Sequence, residues 1–238
     1  MTPPTATITP AAPPATPSAP AFSSLDIGCL PAQVLYIAAQ FASRDETKQA
    51  LQLIHVRKGE DGLITIESTD GHRAFRFRFP ECNPVRRQGE HWYINRDLLL
   101  DASTFRKRVS YGHWAMIKDN GTAEILGGKI AKGSECPPSK LIEARPYKHV
   151  ADVFIYPKLD QLWPDKFENA PGGTISWNAS YLSQFLAEVT RYSHNGVVKM
   201  SCNKPSEPLV FSSSCELSVP GLENCQLEYL LMPVQVRV

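Results

Sequence analysis

The sequence predicts an α+β fold in which antiparallel sheets carry their helices on one side. Three observations predict it. Stretches rich in β-branched and aromatic residues outnumber helical ones, and the order strand, short helix, several strands comes round three times. Phe75, Phe77 and Phe79 alternate with Arg76 and Arg78, which is the period of a strand with two unlike faces.

The elements follow in order. Residues 1–21 are Pro, Ala and Thr without a charge, which predicts a disordered or polyproline-like tail. A first domain of two modules is read over 22–148, a connector over 149–173 and a half domain of one module over 174–238. In the first module a strand at 24–27 leads into a helix at 31–43, where Val34, Leu35, Ala38 and Phe41 recur at helical spacing behind Pro31. Strands at 50–56 and 63–68 flank the turn Gly59-Glu60-Asp61-Gly62. The strand at 74–79 follows, with one face buried and the other solvated. The second module restarts at 92–94, has a helix at 96–105, and continues in strands at 109–117, 122–126 and 140–144, with Asp119-Asn120-Gly121 as a turn. Several prolines and the Gly172-Gly173 pair mark the connector. The third module has a strand at 174–177, a helix at 179–191, and strands at 197–202, 209–213 and 227–236.

Composition bounds the function. Apolar residues make up 42% of the 238, enough for a real core, and the formal charge of +1 excludes a nucleic-acid binder that works by bulk charge while leaving room for a local basic surface. No basic n-region with an unbroken apolar run precedes Phe22, and no stretch approaches the about 18 apolar residues of a membrane span, so a soluble protein is expected. Six cysteines, at 29, 82, 136, 202, 215 and 225, lack a Cys-x-x-Cys pair or a histidine at finger spacing. They read as reduced structural thiols of a cytoplasmic protein, with no metal or cofactor implied.

Thr69-Asp70-Gly71-His72-Arg73 reads on its own as a strand-end turn, with Gly71 at positive φ and Asp70 capping backbone amides. His55, His91, His113, His149 and His194 stand singly and read as structural. No nucleophile or second carboxylate groups with Asp70 and His72, which disfavours an enzyme. Leu230, Leu231, Met232 and Val234 read by themselves as an apolar strand packed in a core.

Taken together, four stretches point further. Ile66-Glu67-Ser68-Thr69-Asp70-Gly71-His72-Arg73-Ala74, Tyr156-Pro157-Lys158-Leu159-Asp160-Gln161-Leu162-Trp163-Pro164, Ile175-Ser176-Trp177-Asn178-Ala179-Ser180-Tyr181-Leu182 and Tyr229-Leu230-Leu231-Met232-Pro233-Val234-Gln235-Val236 resemble, in order, motifs of the bacterial β sliding clamp of DNA polymerase III. The likeness covers 22–238. That family has three domains of two modules each, so this chain looks like its middle domain followed by the closing half of the last. It also runs on through Gln235, Val236, Arg237 and Val238, where the family would place an arginine and end.

The resemblance implies a sliding-clamp fold and a role as a processivity or recruitment factor without a catalytic site. It places Thr69, Gly71, His72, Arg73, Pro157, Leu162, Leu231, Met232, Pro233 and Val234 around one groove for short hydrophobic motifs of DNA polymerases and repair proteins. Such a groove needs apolar walls and an adaptable methionine. It also implies weak, non-specific contact with duplex DNA, for which Arg86, Arg87, Arg96, Arg106, Lys107 and Arg108 are the candidates; such a run is otherwise an ordinary solvated surface. The first helix has no basic residue before Arg44, and the third only Arg191. Three modules per chain, in rings of about twelve, imply a homo-oligomer. The alternative is a non-encircling adaptor or decoy that keeps the groove and no longer holds DNA.

Overall fold

The structure, a computed structural model, describes residues 26–80, 91–97, 113–118, 122–127, 140–146, 155–163, 178–192, 197–202, 207–215 and 225–233. In chain order these form β1 (Asp26–Pro31), α1 (Ala32–Phe41), β2 (Leu53–Lys58), β3 (Leu63–Thr69), β4 (Arg73–Pro80), β5 (His91–Asn95), β6 (Trp114–Lys118), β7 (Thr122–Gly127), β8 (Lys140–Pro146), α2 (Ala179–Tyr192), β9 (Lys199–Ser201), β10 (Leu209–Cys215) and β11 (Cys225–Leu231). Gln49–Gln52 and Leu159–Leu162 are single 3-10 turns. The expected start of β2 at residue 50 therefore falls in a turn instead. Residues 81–90, 98–112, 119–121, 147–154 and 164–177 lie outside the described residues, and with them most of the helix expected at 96–105 and the strand expected at 174–177.

Among the described residues the strands form two antiparallel sheets, ordered β1-β6-β7-β8 and β5-β2-β3-β4-β11-β10-β9. The first two modules exchange their opening strands. β1 pairs with β6, and β5 pairs with β2, so neither module closes a sheet by itself. The third module adds β9, β10 and β11 to the free side of β4, in a register that sets Leu230 opposite Ala74 and Glu228 opposite Arg76.

Helix α1 has no side-chain cap and depends on burial rather than propensity. Ala32, Val34, Leu35, Ala38, Ala39 and Phe41 are all buried, because the helix packs on β2, β3 and β4 on one flank and on β1 and β6 on the other. Phe41 stacks on Phe75 at 5.4 Å, and Tyr229 and Phe185 continue the aromatic layer beneath α2. On β4 the helix-side residues are Phe75, Phe77 and Phe79, as the alternation predicts. The other face is not solvated as expected: Arg76 is 1% exposed, because residues 155–163 cover it.

Candidate functional site

The turn between β3 and β4 behaves as its residues dictate. Gly71 takes a φ of 93°, and Asp70 Oδ1 accepts from the backbone N–H groups of His72 at 2.9 Å and Arg73 at 3.1 Å. Thr69 Oγ1 donates to Arg73 O at 2.6 Å and accepts from Gly71 N at 3.0 Å. Next to this turn, the Met232 N–H donates to His72 O at 3.0 Å, so the seam of β4 and β11 runs directly into it.

On the face of the seven-stranded sheet opposite the helices, Leu53, Ala74, Val210 and Leu230 form an apolar cluster with Tyr156 and Leu159. Tyr93, Trp163 and Met232 pack against it half-buried. Pro233 is half-buried after Met232, and Pro157 is half-buried between Tyr156 and Leu159. Leu162, in the same turn as Leu159, is 38% exposed. Ala74 at the start of β4, Tyr156 and Leu159 of the 155–163 segment, and Leu230 and Met232 at the end of β11 thus pack together on one face.

Two predicted groove residues face the other way. Leu231 is 1% exposed in the core beneath the helices. Arg73 lies on that side too, its guanidinium between Phe41 and Tyr181 at 4.8 and 4.6 Å, donating to Asp70 Oδ2, Gln184 Oε1 and Gln40 O. It ties the turn to both helices rather than lining a groove. His72 is exposed, 6.4 Å from the Tyr181 ring. Val234 lies outside the described residues.

Sequence reasoning missed Leu53, Ala74, Tyr156, Leu159, Val210 and Leu230. The period-2 rule offered a signal: once Leu231 is assigned to the core, Leu230 must point to the opposite face.

Beside the apolar cluster, on the same face, lies a buried charged one. Glu67 accepts from Arg76 Nε at 2.6 Å, and its Oε2 lies 3.2 Å from His55 Nδ1. His55 and His91 are not isolated as expected: His55 Nε2 lies 2.7 Å from His91 Nδ1. Asp160 Oδ1 accepts from Arg57 Nη2 at 2.7 Å and Arg76 Nη2 at 2.6 Å, and the Arg76 guanidinium covers the Trp163 ring at 4.0 Å. Burial alone would raise the Glu67 pKa, but the hydrogen bond from His55 and the Arg76 charge outweigh it and hold the carboxyl at about 2. Burial, next to Glu67 and Tyr93, raises the Tyr156 hydroxyl. Within it Arg57 Nε, the Tyr156 hydroxyl and Trp163 Nε1 are buried without a hydrogen-bond partner among the described residues. Among the described residues, no group of three or more His, Cys, Asp and Glu is placed to hold a metal ion.

Of the candidate phosphate contacts, only Arg96 lies among the described residues, and it is a correction. It is 5% exposed, and its Nη1 donates to Ala42 O and Ser43 O, binding the carbonyls that follow α1. Arg86, Arg87, Arg106, Lys107 and Arg108 lie outside the described residues. Among those described, no helix is long and apolar enough to cross a membrane.

No protein-family model and no curated protein matches the sequence. Solved structures do match. The DNA polymerase III β subunit of Thermotoga maritima is 10% identical with a TM-score of 0.58, over 92% of this chain and 67% of its own. That of Caulobacter crescentus is 15% identical with a TM-score of 0.57, over 91% and 69%. The Helicobacter pylori β clamp bound to a DNA ligase peptide is 11% identical with a TM-score of 0.53, over 89% and 65%. The chain therefore has the sliding-clamp fold of the bacterial polymerase β subunit, in a form that spans about two thirds of its length.

Proposed function

We propose that this chain is a clamp-like recruitment and processivity protein that binds short motifs of DNA polymerases and repair proteins through one or two apolar side chains. The observation that carries this reading is the apolar cluster of Leu53, Ala74, Val210 and Leu230, with half-buried Met232 on it and the 155–163 segment beside it. The strands supply a rigid floor, and Met232 supplies a side chain that adapts to different anchors. The likeness to the H. pylori clamp with its bound ligase peptide supports the same use of the fold here. The role is one of binding rather than turnover.

Titration of a labelled DNA ligase peptide tests it. Saturable binding is expected, and Met232→Ala should weaken it about ten-fold while far-UV circular dichroism stays unchanged. Absence of saturable binding to the wild-type chain sinks the reading.

For DNA, we propose weak, non-specific and salt-dependent contact through Arg86, Arg87, Arg106, Lys107 and Arg108. The burial of Arg96 favours the second reading, an adaptor that binds the same peptides without encircling DNA. Retention on circular against linearised DNA separates the two.

A further inference from the structure

The 155–163 segment beside the apolar cluster has little structure of its own. Its single 3-10 turn is closed by Gln161 N–H donating to Lys158 O at 3.2 Å, and just before it Leu159 N–H donates to Pro157 O at 2.9 Å. So short a turn is not stable alone, and its place is set by what it touches. Tyr156 and Leu159 supply apolar contacts, which fix depth but not direction. Directed contacts come from Asp160, on Arg57 and Arg76, and from Trp163 under the Arg76 guanidinium.

Charge balance explains why Asp160 is needed. The side chain of Arg76 is 1% exposed and that of Arg57 25%, and both reach the 3% exposed carboxylate of Glu67. One carboxylate cannot neutralise two guanidiniums. Glu228, across the seam from Arg76, pairs with Arg78 at 4.0 Å rather than with Arg76 or Arg57. His55 and His91 bring no negative charge. The remaining carboxylate against these arginines is Asp160, which belongs to no strand.

We propose that Asp160 is the positioning residue of the peptide site. By completing the charge balance of Arg57 and Arg76 it fixes the 155–163 wall against the sheet, and so sets affinity for a peptide it does not touch. The inference rests on the peptide-binding reading above. Asp160 is 60% exposed, so solvent screens its side of each pair and added salt loosens the wall. Its loss leaves Arg76 buried with a single carboxylate.

The test compares wild type, Asp160→Asn and Asp160→Glu by hydrogen exchange in the free protein and by titration with the labelled ligase peptide. In Asp160→Asn, exchange at the Leu159 and Gln161 amides is expected to rise about five-fold or more, with that of β3 and β4 unchanged, and peptide affinity to fall by a similar factor. Asp160→Glu should recover both at least in part. Unchanged exchange at 159 and 161 overturns the proposal, as does exchange that rises equally through β3 and β4. If wild type binds no peptide, the functional reading fails, while the exchange comparison still decides whether Asp160 holds the wall.

Discussion

At the Glu67 carboxyl, burial and partners pull in opposite directions, and the partners win, with a pKa of about 2 against 4.5 for the free side chain. Between those values the unfolded chain holds the extra proton, so the stability Glu67 supplies is complete above about pH 4.5 and is lost as pH falls toward 2. His91 adds an earlier loss: burial and the neighbouring His55 and Arg57 hold it below 6.5, so protonation of the unfolded chain begins to cost stability under that pH. Acid unfolding followed by circular dichroism should show the Glu67 component across its window, and Glu67→Gln should lack it. At neutral pH that variant should be less stable to denaturant by about 3 to 5 kcal/mol, because it leaves buried guanidiniums short of a carboxylate. The Asp70-Gly71 turn was legible beforehand, since a capping carboxylate and a residue tolerant of positive φ are local properties. The burial of Glu67 and Arg76 was not. Alternation says which face a residue is on; a segment about ninety positions away decides whether that face is covered.

Strand β4 is the element on which the fold turns. Its aromatic face carries Phe75, Phe77 and Phe79 under α1, its other face carries Ala74 and Arg76 under the 155–163 segment, and both its edges are paired. Phe75 stacks on Phe41 at 5.4 Å with the rings nearly parallel. Phe75→Ala should therefore cost about 3 to 5 kcal/mol in urea unfolding, whereas Met200→Ala, on a side chain 58% exposed in β9, should change stability little. Most elements were readable to within a few residues, α1 and β4 best, because apolar spacing fixes them locally. The exchange of β1 and β5 between modules was hidden, since strand pairing leaves no mark on the spacing within either strand. Arg96 misled for a related reason: an arginine near a helix start looks the same whether it meets phosphate or the carbonyls after a neighbouring helix.

For the molecule as a whole, the third module is joined to the first by six paired residues of β11 along β4, and the resulting sheet runs from β5 to β9. β9 is only three residues long and pairs on one side among the described residues. A ring would use such an edge to add the next copy. Native mass spectrometry at micromolar concentration is expected to show self-association; a clean monomer would favour the adaptor. The sheet also constrains how the chain comes into being. β4 ends at Pro80, and the strand that occupies its second edge begins only at Cys225. On the ribosome, an aromatic strand with open amides and carbonyls therefore waits through most of translation for its neighbour. Over that interval its open edge can pair with another chain. Any product stopped before β11 keeps that edge permanently, which makes it a seed for aggregation rather than a smaller working protein.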